Sequence, residues 1–497
     1  MRWPTWWWRP DRASGVGLAE QVAAFFAAGP PAHFVGGAVR DRLLGREVHD
    51  LDVVVEGDAL LLARRLADDL GGAYVTLDKD HGLARVVVGA DQIDVARLRG
   101  HNLDADLRLR DFTVNAMAMP VAEWASAAPT IIDPLGGRGD LAAGVIRATS
   151  EHALRDDPAR LLRAPRLAAQ LGGTLDAATA TWCQRDASRL AWVSAERVRD
   201  ELWRILTLPD TAATLRELDR LGVLAVALPD LAATQGVTQR PPHAWDVFEH
   251  TLAVLTQLEG VLGALDLGEA APDASVAAAL APHRAALRAH LVQEPVGGRP
   301  QWSVLKFAAL YHDVAKPATR SVDAQGVVHF YGHEVVGAEM VERAARDLRL
   351  GVREIAYLKQ VVRYHLRPLF LATQKAVSAR SEYRYFRDTG DTAADILLLS
   401  LADNRGKTDD ADSPASADTV LITVVRLLDL LYAEEPPPVV APPPLVSGRD
   451  LMAALGLTPG PRVGELLERL REAAATGQIT TREAALDLAR RWVDGQP

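Results

Sequence analysis

The sequence predicts an α+β protein: a mixed β-sheet with helices over about residues 31–147, then a largely all-α remainder. Three observations carry this. Short aliphatic runs broken by glycines recur before residue 100, as half-buried strands do. From about residue 150 the apolar residues fall at three- and four-residue spacing, the helical period. A Pro-rich stretch at 434–446, EEPPPVVAPPPLV, sets off a small last unit and reads as an extended linker.

Taken in order, His33–Val35 reads as a strand, Gly36-Gly37 as a turn and Ala38–Leu44 as a helix. Leu51–Val55 is an apolar strand, and Asp58–Leu70 an amphipathic helix closed by Gly71-Gly72. Ala73–Leu77, Ala84–Val88 and Gln92–Val95 complete a sheet of about five strands. Leu154–Leu171 and Ala195–Leu206 read as single helices. Residues 243–433 are mostly helical, with a hairpin at Ser321–Phe330 turning at Ala324-Gln325-Gly326. The expected organisation is a Trp-rich arm (1–30), the mixed α/β palm (31–147), a helical neck (148–235), a larger helical domain (236–433), the linker (434–446) and a helical unit (447–497).

Composition narrows the function classes. The chain has 497 residues, 48% of them hydrophobic and 24% charged, with a net charge of −10. That acidic balance argues against non-specific coating of nucleic acid, although a local basic strip suffices for RNA. Every Lys or Arg between Arg85 and Pro300 is Arg, which suits bidentate phosphate contacts or reflects genome composition. The single cysteine, Cys183, excludes an internal disulfide and a Cys-based zinc site; it reads as a small core residue. No apolar run reaches the roughly 20 residues of a bilayer span, and the N-terminus lacks a signal-peptide pattern. The expectation is a cytoplasmic protein with no membrane partner. Trp3, Trp6, Trp7 and Trp8 either stack on RNA bases or pack on the fold, and packing is expected.

The chemistry concentrates first in Gly36-Gly37, Arg40 and Asp50-Leu51-Asp52. Two glycines after a strand let backbone approach a phosphate, and the helix behind them aims N–H groups at it. Arg40 adds a charged fork. Asp50 and Asp52 lie two apart on a strand, so both face one side and can hold Mg²⁺ through oxygens. Asp94, on a later strand, is either a third carboxylate of that site or a surface residue.

This order of strand, Gly-Gly, helix and Asp-X-Asp strand resembles the first motif of class II tRNA nucleotidyltransferases and bacterial poly(A) polymerases. The resemblance implies that Asp50 and Asp52 are catalytic and bind Mg²⁺, and that Gly37 and Arg40 contact a triphosphate. Arg110-Asp111-Phe112-Thr113 is similar to the second motif, which handles sugar and triphosphate; Leu109 stands where the family has Arg. Asp133–Leu141 resembles the third motif, a structural hinge. Asp157, Arg160, Arg163 and Arg166 recur every third residue, one face of a helix, while Leu161, Leu162 and Leu167 bury the other. The string resembles the base-recognition motif. By that likeness Asp157 and Arg160 read the incoming base, and Arg163 and Arg166 meet phosphates. Pro165 removes a hydrogen bond and can kink this helix. Ser194-Ala-Glu196-Arg197 resembles the fifth motif, with Ser194 an expected N-cap and Arg197 opening an RNA-facing helix.

A second constellation follows: His250 in the amphipathic stretch Asp246–Leu258, His312-Asp313 after an apolar helix, His333-Glu334, Tyr364-His365 and Asp403-Asn404. Imidazole nitrogen and carboxylate oxygen suit a divalent metal. With Val-Ala-Lys316-Pro after His312-Asp313, the series resembles the HD phosphohydrolases. That implies one metal on His250, His312, Asp313 and Asp403, with His333 and His365 as extra ligands where two metals bind. The metal's identity stays open. The substrates implied are a 2′,3′-cyclic phosphate or a 2′-phosphate at an RNA end. The tail from Leu445 resembles the C-terminal unit of HD-bearing tRNA nucleotidyltransferases.

In relatives that add a whole CCA end, a longer mobile loop occupies the connection that Arg97–Leu109 makes here. Relatives restricted to CC resemble this chain in lacking it. The expectation is therefore CMP addition from CTP to the tRNA 3′ end. The alternatives are CCA or A addition with ATP, or a phosphohydrolase of RNA 3′ ends.

Overall fold

The β-branched runs of the N-terminal third do pair, and they do so around one central strand. The computed structural model describes residues 17–494, apart from 28, 49, 241–242, 295–297 and 408–413. The N-terminal tryptophans lie outside the described residues. Two compact units result, divided near Leu202, with Thr214–Ala227 returning to the first and Trp203–Ala213 belonging to the second.

In chain order the first unit holds α1 (Leu18–Phe26), β1 (Ala32–Val35), α2 (Gly37–Leu43), β2 (Asp50–Val55), α3 (Ala59–Leu70), β3 (Ala73–Asp78), β4 (Leu83–Val88), β5 (Asp91–Arg97), α4 (Leu103–Arg108) and β6 (Ala118–Pro120). The six-stranded sheet runs β3-β4-β5-β2-β1-β6, and only β2 and β5 pair in parallel. The α+β class is as expected. The sixth strand, β6, was not foreseen; it is three residues long, too short to show alternation. Asp58 caps α3 by accepting a hydrogen bond from Leu61 N, and Gly71 ends it in the left-handed conformation.

Alternation along the strands divides the sheet's faces. Leu51, Val53, Val55, Ile93 and Val95 pack with α1 and α3 in one core. Val35, Val54 and Ala118 face the other way, against Leu107 of α4. Asp50 and Asp52 share this second face with Val54.

Beyond the sheet come α5 (Gly137–Ala143), α6 (Ala153–Asp156), α7 (Arg160–Gln170), α8 (Ala177–Asp186) and α9 (Ala195–Leu206). The single helix expected over Leu154–Leu171 is two. Asp157 is extended (φ −140°, ψ 94°), because the residue before Pro158 is pushed out of the helical region. Asp157 thus stands before α7 rather than on its face, and accepts a hydrogen bond from Ala159 N. Pro165 is buried inside α7 and does not end it. Asp133 accepts from Gly137 N and Arg138 N, fixing the start of α5. Cys183 is fully buried.

The second unit is helical, with the hairpin Ser321–Val322 and Val328–His329 in place. The helix carrying His250 runs on to Ala264, capped by Asp246. Its last three helices, Gly448–Leu455, Pro461–Ala475 and Arg482–Val493, share a small core of Leu451, Leu470 and Leu488. No helix among the described residues is long and apolar enough to cross a membrane.

Candidate functional site

In the sheet, Asp50 is exposed and Asp52 half-buried on β2. Val35 opposes Asp52 on β1, and Asp94 is its parallel partner on β5. Burial pushes the Asp52 carboxyl up to about 6; Arg110 opposes this, while the charges of Asp94, Asp50 and Asp111 add to it. Asp94 is held by two hydrogen bonds from Arg85, 2.7 and 2.9 Å long. It lies beside the pair with its own cation already supplied.

Gly36, which the motif reading passed over in favour of Gly37, is the glycine this geometry requires. Its φ is +69°, a region that side chains avoid. A Cβ there would stand 2.9 Å from an Asp52 oxygen and 3.3 Å from the Arg110 guanidinium. Gly37 begins α2, and its would-be Cβ meets only Arg40 at 3.5 Å. Arg40 is buried, donating to Asp41 at 2.9 and 2.7 Å and to Asn115 at 2.7 Å.

The short connection before Arg110 is ordered by one buried residue. Asn102 caps α4 through Ala105 N. Asp106, on that helix, accepts from the backbone N and Nε of Arg99 and from Nε and Nη2 of Arg110, each at 3.1 Å. Sequence reading missed Asp106. Leu109, where the family has Arg, is 49% exposed.

The arginines of α7 are tied inward. Arg163 donates to Asp111 at 3.1 Å and twice to Glu201 on α9. Arg166 donates to the same Glu201 at 2.7 Å. Burial would raise the Asp111 carboxyl, but Arg163 and Arg160 hold it below its usual range. Glu201, almost wholly buried, was also missed, since one acidic residue on a helix carries no signal in sequence. Asp157 accepts from Arg197 at 2.7 Å. Arg160 lies 3.8 Å from Asp157; it donates to the carbonyls of Leu109, Arg110 and Ala153, and its Nε is buried without a hydrogen-bond partner.

In the helical unit the six sequence-predicted residues converge. His250 Nε2 lies 3.1 Å from Asp403 and 3.4 Å from Asp313. His312 and His333 each bring Nε2 to 3.2 Å from Asp313, and His365 to 3.9 Å. Four carbonyls lie beside the opposite nitrogens: Gly406 for His250, Ala309 for His312, Phe330 for His333 and Val362 for His365. An Nδ1–H donated to such a carbonyl leaves Nε2 as the acceptor, the second-sphere arrangement of metal-binding histidines. The Nε2 atoms of His312, His333 and His365 are buried without a hydrogen-bond partner. That is the fit expected of a site built for cations. Two ligand groups share Asp313: His250-His312-Asp313 and Asp313-His333-His365. Burial, with His312 and His333 beside it, pushes His365 down to about 3, so it is neutral and able to ligate. Sequence reading left two neighbours without roles. Lys316 reaches Asp313 at 2.6 Å and Gln239 at 2.6 Å. The His243 ring packs edge-on against His250, centroids 4.7 Å apart.

The family comparisons fall on the same segments. Family models match in chain order: the poly(A) polymerase head domain at 32–147, a probable RNA- and SrmB-binding site of polymerase A at 173–234, the HD domain at 247–405, and a putative tRNA nucleotidyltransferase domain 2 at 423–489. An A-adding tRNA nucleotidyltransferase of Deinococcus radiodurans is 36% identical over 94% of this chain and 97% of its own. A CC-adding tRNA nucleotidyltransferase of Thermus thermophilus is 34% identical over 93% and 94%. A solved CCA-adding enzyme shares the fold with a TM-score of 0.60 at 20% identity, covering 96% of this chain and 93% of that one. The chain belongs to the tRNA nucleotidyltransferases, in the branch that joins a poly(A) polymerase head domain to an HD domain.

Proposed function

We propose that this tRNA nucleotidyltransferase adds CMP residues from CTP to the tRNA 3′ end, stopping after CC, with Mg²⁺ at Asp50 and Asp52. The tRNA 3′-hydroxyl attacks the α-phosphate of CTP, and pyrophosphate leaves. The observation that carries the one-base reading is the connection from Arg97 to Leu109. It is a capped helix, α4, whose buried Asp106 holds Arg99 and Arg110 together. A connection fixed in this way cannot reshape a pocket between two bases, and polar groups aimed at one base stay unpaired with another.

A divalent cation bound by the two aspartates would lower the charge on the attacking and leaving oxygens. The chain's own residues do the positioning. Gly36 leaves room between Asp52 and Arg110. Arg40, fixed by Asp41 and Asn115, and Arg110, fixed by Asp106, face the triphosphate with Gly37. Asp157 and Arg160 present the base-reading edge, held by Arg197 and the Leu109 and Arg110 carbonyls. Three of the five N–H groups of Arg163 are engaged; the others, with Arg166, meet phosphate. The work is cytoplasmic.

Incubation with tRNA ending at the discriminator base, and separately with tRNA ending in CC, using single nucleoside triphosphates, tests this. Two CMP additions and no AMP addition are expected. AMP addition to tRNA ending in CC, without CMP addition, would establish A addition instead, a reading favoured by the 36% identical A-adding relative. The His–Asp cluster is proposed as a divalent-metal phosphohydrolase of RNA ends bearing a 2′,3′-cyclic or 2′-phosphate. Its support is the convergence of four histidine Nε2 atoms on Asp313 and Asp403.

A further inference from the structure

Beside the His–Asp cluster lies an open cleft of about 440 Å³ that no step above uses. Tyr364 and Glu334, immediate chain neighbours of His365 and His333, form its near side. Arg363, Arg367 and Arg384 put three guanidiniums on its walls against the one carboxylate of Glu334. Phe370 lines it and is 58% exposed, with no ring partner among the described residues. Gln374 and Ser381 add an amide and a hydroxyl.

These groups differ in how far they are committed. Arg384 is held by Glu472 at 2.9 and 3.0 Å, and Arg367 pairs with Asp388 while lying 5.7 Å from the Tyr364 ring. Both are thereby oriented. Arg363 lies in the last turn of the helix Val352–Tyr364 and is exposed, its guanidinium paired with no described residue. A cleft with an exposed ring for stacking, a free guanidinium for phosphate and the Gln374 amide, its oxygen accepting from Ser381, for a base edge has the make-up of a single-stranded RNA subsite.

We infer that this cleft binds the terminal nucleotides of a single-stranded RNA 3′ end, with a base on Phe370 and a phosphate on Arg363. The inference takes its purpose from the phosphohydrolase reading: the cleft delivers the phosphorylated end to the neighbouring cluster. Binding itself does not depend on hydrolysis.

The test uses the full chain and a fluorescent tetraribonucleotide ending in a 2′,3′-cyclic phosphate, with unlabelled cytidine 2′,3′-cyclic phosphate as competitor. Binding is titrated with metal chelated, and hydrolysis is followed separately with Mn²⁺, Co²⁺ or Ni²⁺. Arg363→Ala and Phe370→Ala should each weaken oligonucleotide binding roughly tenfold. Arg363→Ala should also make the logarithmic salt dependence shallower by about one unit. Thermal unfolding matching that of the parent shows both variants folded, and CMP addition to tRNA should be unchanged in both. The tetranucleotide binding more tightly than the mononucleotide supports an RNA end over a free nucleotide; equal affinity would overturn that part. Reduced binding in the variants with no hydrolysis by any protein leaves the cleft standing and removes the phosphohydrolase reading. Hydrolysis with unchanged KM and unchanged binding in both variants overturns the cleft and leaves the hydrolase intact.

Discussion

The two metal-type sites are built on opposite principles. In the sheet, two carboxylates come from one strand, one exposed and the other half-buried. The arginines that act on them are Arg110, of the second motif, and Arg85, of β4. In the helical unit, six ligand-type side chains come from the ends and interiors of five helices, and all six are buried. Each histidine there has its spare nitrogen on a backbone carbonyl. On the proposed reading the sheet site admits a nucleoside triphosphate and an RNA end together, and its charge stays open. The helical site is finished before any substrate arrives. The two should therefore respond differently to substitution.

The largest effect is expected at the open site. Asp52→Ala removes half of the carboxylate pair without opening the core, because Asp52 faces away from Leu51 and Val53. Addition should fall by on the order of a thousandfold or more, with thermal unfolding close to that of the parent. Near-normal addition by a folded variant would end the assignment. The pH dependence sharpens the point. Burial raises the Asp52 carboxyl to about 6, so below pH 6 protons compete with the cation. At limiting Mg²⁺, addition should drop as pH falls through about 6, and saturating Mg²⁺ should move that drop to lower pH.

The closed site should break independently. His312→Ala takes one ligand from a prearranged set and should remove any phosphohydrolase activity, measured on a 2′,3′-cyclic nucleotide, together with metal binding measured by calorimetry. CMP addition should stay within about twofold, since the described supports of the cluster come from its own helical unit. A parallel loss of addition in a folded variant would show that the two regions are coupled.

The comparison also explains what could be read from sequence. The His–Asp set was legible because its four histidines belong to a type with only 13 members in the chain, and His312-Asp313 is adjacent in the chain after an apolar helix. The strand carrying Asp50 and Asp52 was legible from its apolar run, Leu51–Val55. The helix break at Asp157 was missed, although Pro158 announced it, because the three-residue spacing of the arginines continued through it. Asp106 and Glu201 were invisible for another reason. Each is one acid among 65, and only the fold shows that they are buried and shared between arginines. Gly36 and Gly37 could not be ranked before the positions of Asp52 and Arg110 were known.

Glu201 gives a smaller effect, on stability before chemistry. Its two oxygens hold Arg163 and Arg166 on α7. Glu201→Ala takes the shared carboxylate from two half-buried guanidiniums, leaving Arg163 on Asp111 and Arg166 on Gln170, a loss of about 3 kcal/mol, read as a lower denaturant midpoint. Glu201→Gln keeps the shape and an acceptor and should cost less. If both variants unfold like the parent, the clamp is not what fixes α7.

The smallest expected effect concerns base choice, and it turns on how firmly α4 is held. On the proposed reading, Asp157 and Arg160 select one base only while their supports stay put. Arg160 rests on the carbonyls of Leu109 and Arg110, immediately after α4, so α4 reaches the base edge through two residues of chain. A flexible insertion of about ten residues between His101 and Asp106 lengthens that connection while leaving Asp106, Arg99 and Arg110 in the sequence. On the CC reading, CMP addition should persist at a reduced rate, and a few per cent of tRNA ending in CC should acquire AMP. Asp157→Ala should act in the same direction by a different route, releasing Arg197 and removing one side of the edge, and should blur CTP selection more than it slows total transfer. The readout is product length on a sequencing gel with each triphosphate alone. If the insertion leaves selection as strict as in the parent while Asp157→Ala relaxes it, specificity resides in the side-chain edge alone and the short connection has no part in it.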